Sequence, residues 1–364
     1  KEMKSRIDFN NKITINVKSD NLLESSYESL KNIPTELLYQ QFNVVIDDSK
    51  TVDHGGVTCD WFTKLTKEIF NHENGYFSCI EKSMSYQPNV CSINKKDYLD
   101  FFRFAGQFVA RALIEGICID AHFTLSFIKQ ILHRKPKLND LETVDNDLFE
   151  SLKWMLDNDV DMLEMMFEVF DETGTNSTIP LKENGTNIKV TNENKVEYVN
   201  LMSNYHLEKK IQKQIDAFVV GFDSLISHSD VSYFTPNELD LLICGVPKID
   251  VEDFKANTVV QQPYTMDSPV IKFFFNVISR WENDQLIKLL SFMTGRSRVT
   301  SNGFKEFCEI SGQPLTINSG GDKSLLPQSH TCVNTLSLPQ YESEEELEKK
   351  LKIAINLCDS FEII

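Results

Sequence analysis

The 364-residue chain has no apolar run near the roughly 18 residues that cross a bilayer, so no membrane role is expected. Its opening stretch, KEMKSRIDFNNKITINVKSD, mixes charged and polar residues and contains no signal-peptide core. It starts at Lys1 rather than Met, which reads as a fragment or a processed product with upstream modules missing. None of the 8 cysteines forms a CxxC pair and the 7 histidines do not cluster with them, so no metal is expected. Eight cysteines in so long a chain are also too few for a disulfide scaffold, which favours a reducing compartment, cytoplasmic or nuclear. Positive charge is scarce: 37 Lys and Arg face 54 Asp and Glu, a net charge of −17. Nucleic-acid binding, which depends on neutralising phosphates, is therefore not expected. Repeats and low-complexity stretches are missing as well.

What is present is an order of helical and strand-like segments. FNVVIDD, from Phe42, starts as a strand, and the helix after it takes Thr58 as a cap, with Trp61, Phe62, Leu65 and Ile69 at helical spacing. Residues 97–133 are strongly apolar and mostly helical, and PKLNDLETVDNDLFESLKWML opens another helical region. Residues 171–194 are rich in Asn, Thr and Gly with runs such as TNIKV, which suggests a small β-hairpin subdomain. Helices resume over 195–225, and TPNELDLLICG has proline in its first turn and a glycine stop. GVPK, 245–248, has the composition of a domain boundary. Beyond it the pattern is α/β: helices at 268–280 and 282–293, short strands at PLTIN and TCVNTLSL, and a last helix from Ser343, where SEEE forms a capping box.

Three motifs are candidates for chemistry. DNDVDMLEMMFE, 157–168, has acids at several calcium-loop positions, but Met162 stands where the loop needs glycine. DHGG, 53–56, lacks the lysine and spacing of a phosphate loop. Cys332 is the third. It lies in a short polar stretch between Pro327 and Pro339, with His330 two residues before it. If 330–332 is extended, the two side chains share a side. No other histidine follows His228, so a Cys–His hydrolase is poorly supplied with a base. Spacing alone leaves two readings open, a packing cysteine at a strand end and an exposed thiol that accepts an acyl group. Cys118, Cys244, Cys308 and Cys358 sit in apolar runs and read as small hydrophobes.

LPQSHTCVNTLSLPQY, 326–341, resembles the active-site segment of HECT-type ubiquitin-protein ligases, in which Leu-Pro, a His-Thr-Cys-Phe-Asn core and Leu-x-Leu-Pro surround the acceptor cysteine. VDHGGVTCDWFTKLTKEIFNHENGYF, 52–77, is similar to the family's Gly-Gly segment and its Trp-Phe helix. Residues 101–132, 138–156, 190–207, 238–245 and 289–299 match further segments in the family's order. The resemblance implies an α+β, bilobal HECT domain. A large, mainly α-helical N-lobe would span 1–245, a hinge 246–249, and a smaller α/β C-lobe 250–364.

The resemblance also implies roles. Cys332 would take ubiquitin from a charged ubiquitin-conjugating enzyme as a thioester and pass it to a lysine of a protein substrate, with no cofactor. His330, Thr331 and Asn334 would shape the loop, and Phe361, fourth from the end, would help position the lobes. A subdomain at about 150–204 would hold the conjugating enzyme through Leu156, Met165, Tyr198 and Met202. Departures stand beside this. Val333 replaces the usual Phe, Cys59 stands where a basic residue is usual, and the tail reads Ser360-Phe361-Glu362. A degenerate HECT module that binds without transfer and a thiol hydrolase that removes ubiquitin are the rival readings.

Overall fold

The computed structural model describes residues 4–47, 56–174, 177–246 and 248–357. They divide into two compact units, one from Lys1–Glu68, Arg111–Asp120 and Leu241–Ile364, the other from Ile69–Ala110 and Ala121–Asp240.

The first unit begins with a parallel strand pair. Strand Gln40–Ile46 buries every second residue, Phe42, Val44 and Ile46, as a sheet with one covered face requires. It pairs with Asp8–Val17, with Ile15 opposite Val44 and Val17 opposite Ile46. The intervening helix Leu22–Leu30 buries Leu22, Ser26 and Leu30 along one side. Ser26 Oγ accepts a hydrogen bond from the buried Trp61 Nε1 at 3.0 Å, which satisfies an indole that would otherwise cost free energy to bury. Trp61 belongs to helix Gly56–Ile69, which starts two residues before the expected cap; Thr58 is buried in its first turn.

The C-terminal part of this unit is a sheet in the order Thr258–Val260, Leu315–Ser319, Thr335–Leu338, Gln328–His330. The first three strands run parallel and the last is antiparallel. The two central strands bury Leu315, Ile317, Leu336 and Leu338 completely, as strands covered on both faces do. Helices Pro269–Ile278, Asn283–Thr294 and Glu344–Leu357 complete one core drawn from residues 249–355 alone. The last helix starts as the sequence indicates: Ser343 Oγ accepts from the Glu346 amide at 3.2 Å, and Leu347, Leu351, Ala354 and Ile355 face inward.

The division into units does not coincide with a cut at 246–249. Specific bonds attach the C-terminal part to earlier segments of the same unit. Val246 N donates to Val299 O at 2.8 Å. Thr63 Oγ1 donates to Gly295 O at 2.9 Å, and Arg298 Nε to Asp120 Oδ1 at 2.9 Å.

The second unit is built on aromatic packing, with Phe127 and Phe218 rings 4.9 Å apart and Phe77 and Phe102 rings 5.1 Å apart. A β-carbon on Gly106 would stand 2.0 Å from the Phe218 carbonyl oxygen, so only glycine permits that approach. A separate core of this unit is formed by residues 141–207, around Leu141, Leu152, Phe167, Tyr198 and Met202. The expected hairpin is present but displaced. Its strands are Glu168–Phe170 and Thr178–Pro180, and the first lies ahead of the 171–194 segment. TNIKV does not form a strand: Asn184 is left-handed at φ 57°, Gly185–Asn187 is a 3-10 turn, and only an isolated bridge joins Lys189 to Met166.

Candidate functional site

The turn carrying Cys332 is short. Strand Gln328–His330 ends, Thr331–Val333 forms one 3-10 turn, Asn334 adopts a left-handed φ of 48°, and strand Thr335–Leu338 begins. TCVNTLSL is therefore a strand only from Thr335. The extended arrangement that would align His330 with Cys332 is not formed, because the chain turns between them. Both side chains are exposed. Asn334 explains the turn. Asparagine tolerates the left-handed region better than most residues, and here its side chain is buried. Its amide donates to Ser311 Oγ and to Gln313 O, each at 3.1 Å, and its carbonyl accepts from Thr316 N at 2.9 Å. A buried, hydrogen-bonded residue thus fixes the turn from below while the cysteine two residues earlier faces solvent.

The N-terminus of helix Gly56–Ile69 lies against the same turn. A β-carbon on Gly56 would stand 2.7 Å from Thr331 Oγ1 and 2.8 Å from Cys332 N. Glycine is needed there for close approach, and it brings the positive end of a 14-residue helix to the segment that carries the sulfur. Beside it is a cavity of about 200 Å³, bordered by Thr58, Cys59, Arg296, Thr331, Cys332 and Asn334 among others. Arg296 is only 7% exposed. Burial opposes its charge, but the Cys59 sulfur beside it, together with Cys118 and Glu115, favours the charge, and the balance raises its pKa. Its Nη1 has no hydrogen-bond partner. Neither Cys59 nor Arg296 stood out as a site residue in the sequence; two arginines in LLSFMTGRSRV were the available signal.

The other thiols differ. Burial pushes the Cys118 thiol up to about 11, and it also raises Cys308. Cys244 is buried, and the exposed Cys91 donates to Glu172 O at 3.4 Å. Phe361, Cys358 and Pro247 lie outside the described residues.

Two of the four residues nominated for the conjugating enzyme, Tyr198 and Met202, need correction. Tyr198 and Met202 are 3% and 6% exposed, so neither is available for docking. They lie one turn apart on helix Lys195–Leu207, facing the core, where Tyr198 meets Phe167 edge-on with ring centroids 5.4 Å apart. Burial pushes the Tyr198 hydroxyl up to about 12. Leu156 and Met165 are half-buried and pack against that core. The exposed apolar side chains of this region are others: Trp154, Met162, Leu163, Phe170 and Val196.

An exposed thiol on a turn held by a buried anchor is suited to accept and release an acyl group. Residues 63–364 match the family described as HECT-domain (ubiquitin-transferase). The chain is 39% identical to the E3 ubiquitin-protein ligase UPL1 of Arabidopsis thaliana, over 94% of this chain and 10% of the relative. It is 35% identical to the E3 ubiquitin-protein ligase NEDD4 of Mus musculus, over 100% of this chain and 41% of the relative. With the E3 ubiquitin-protein ligase pub1 of Schizosaccharomyces pombe the identity is 36%, over 94% and 45%. The chain belongs to the HECT family of ubiquitin transferases, and it spans less than half the length of each of these relatives.

Proposed function

We propose that Cys332 accepts ubiquitin from a charged ubiquitin-conjugating enzyme and passes it to a lysine of a protein substrate. The observation that carries this is the exposed Cys332 on a turn fixed by the buried Asn334. The Cys332 thiolate attacks the carbonyl carbon of the donor thioester, and the donor's thiolate leaves. The substrate amine then attacks the new thioester, the Cys332 thiolate leaves, and the amine loses a proton as the isopeptide bond forms. His330 and Thr331 flank the sulfur and would shape its approach.

The conjugating enzyme would dock on the 141–207 region through exposed apolar side chains, with Trp154 and Met162 as the leading candidates. Residues 246–249 would act as a hinge for the Cys332-bearing part, a reading supported by its self-contained core over 249–355. The free thiols are compatible with a reducing compartment, cytoplasmic or nuclear. The test is single-turnover charging. Labelled ubiquitin preloaded on a panel of conjugating enzymes is mixed with the chain and with Cys332→Ala, and products are separated without reductant. A thiol-sensitive adduct on the unsubstituted chain alone is expected. An adduct that persists in Cys332→Ala would refute the assignment.

A further inference from the structure

We propose that Cys59 and Cys332 form a peroxide-oxidisable dithiol, whose disulfide reversibly blocks the sulfur that takes ubiquitin. The proposal rests on the assignment of Cys332 as acceptor for its consequence, but not for its chemistry.

Both cysteines border the same cavity. The backbone at Gly56 lies against Cys332, the Gly56 β-carbon position being 3.2 Å from Cys332 Cα. Cys59 is three residues further along the same helix, so its β-carbon is about 5–6 Å from that position. A disulfide needs β-carbons about 3.5–4.5 Å apart. The disulfide forms only when the β-carbons of Cys59 and Cys332 themselves come within that range.

The second observation is Arg296. This nine-tenths buried cation borders the cavity with Nη1 unpartnered, and it lies beside Cys59. A guanidinium there favours an anionic occupant, and the thiolate is the nucleophilic form of cysteine.

The oxidant is hydrogen peroxide. The exposed Cys332 thiolate attacks one peroxide oxygen, the O–O bond breaks, hydroxide leaves, and Cys332 becomes a sulfenic acid. The Cys59 thiolate attacks that sulfur, the S–O bond breaks, and a second hydroxide leaves as the disulfide forms. Two thiols and one peroxide thus give one disulfide and two waters. Without Cys59, a second peroxide carries Cys332 on to the sulfinic acid, which thiol reductants do not reverse.

The test uses the whole chain, reduced, freed of reductant and titrated with hydrogen peroxide. Free thiols are then alkylated, and the protein is analysed by intact mass and by peptide mapping. The expected result is two fewer alkyl groups than on the reduced, alkylated chain, a Cys59–Cys332 linked peptide, and charging that is lost on oxidation and regained with a thiol reductant. Cys59→Ser should give no linked peptide and a Cys332 that gains two oxygens. Charging regained by the variant, relative to its own unoxidised level, should fall at least about tenfold below that of the unsubstituted chain. Cys332 oxidised without the linked peptide, Cys332 left unoxidised, or equal recovery in Cys59→Ser would each overturn the proposal. The mass result on the unsubstituted chain holds whether or not the variant folds. If the reduced chain never charges, the acceptor assignment fails while the linked peptide still reports on the dithiol.

Discussion

The turn Thr331–Val333 and the turn Asp161–Leu163 are both single 3-10 turns with mostly exposed side chains, and each is followed by a left-handed residue. They are held in different ways. After the first, Asn334 is buried, and its amide is bonded to Ser311 and Gln313. After the second, Glu164 at φ 53° is exposed. That turn is fixed from its front, where Asp159 Oδ1 accepts from Asp161 N at 3.0 Å and Asn192 Nδ2 donates to Asp159 Oδ1 at 2.8 Å. The proposed acceptor sulfur needs a backbone fixed close to it, and the first turn supplies that. A docking side chain needs exposed apolar area, and Met162, 89% exposed, supplies that in the second.

Substitutions can break or sharpen this contrast. The largest effect on stability is expected in the 141–207 core. Tyr198→Ala empties space in the 141–207 core and should cost about 3–5 kcal/mol, read by chemical denaturation. A change under about 1 kcal/mol would mean that Tyr198 is not core. Asn334→Ala removes two side-chain bonds from a buried site and puts alanine in the left-handed region. It should cost about 1–3 kcal/mol and slow charging, whereas Asn334→Gly keeps the turn and should recover part of the charging rate. Met162→Ala should leave stability within about 0.5 kcal/mol yet weaken binding of the conjugating enzyme by roughly tenfold, measured by titration. The smallest effect has the opposite sign: Glu164→Asn relieves a left-handed glutamate on the surface and should raise stability by up to about 1 kcal/mol.

Much of this was legible in the residues. FNVVIDD marked a strand from Phe42, which begins two residues earlier at Gln40, and the Ser343 capping box with Leu347, Leu351, Ala354 and Ile355 marked the last helix. The segment around Cys332 was legible as a site, but not its shape. Thr331, Cys332 and Val333 suit a strand and run into the true strand at Thr335, so β-propensity hid the break that Asn334 imposes. Helix Lys195–Leu207 shows the opposite failure. Val196, Tyr198, Val199, Leu201, Met202 and Tyr205 are spread around it, so periodicity does not tell its buried face from its exposed one. Large apolar side chains default to the core unless something exposes them, which is where Tyr198 and Met202 are found. The neighbourhood of Cys59, Arg296 and Cys332 joins segments far apart in the chain, so local pattern gave no sign of it.

The most direct test of the central claim is a trap at Cys332. Serine in place of this cysteine offers an oxygen that is a poorer nucleophile but forms an ester that thiols do not cleave. Cys332→Ser mixed with charged conjugating enzyme should accumulate a ubiquitin adduct that survives thiol, is released by mild base, and maps to residue 332 by peptide mass. An adduct that maps to another residue, or remains thiol-sensitive in this variant, would contradict Cys332 as the acceptor.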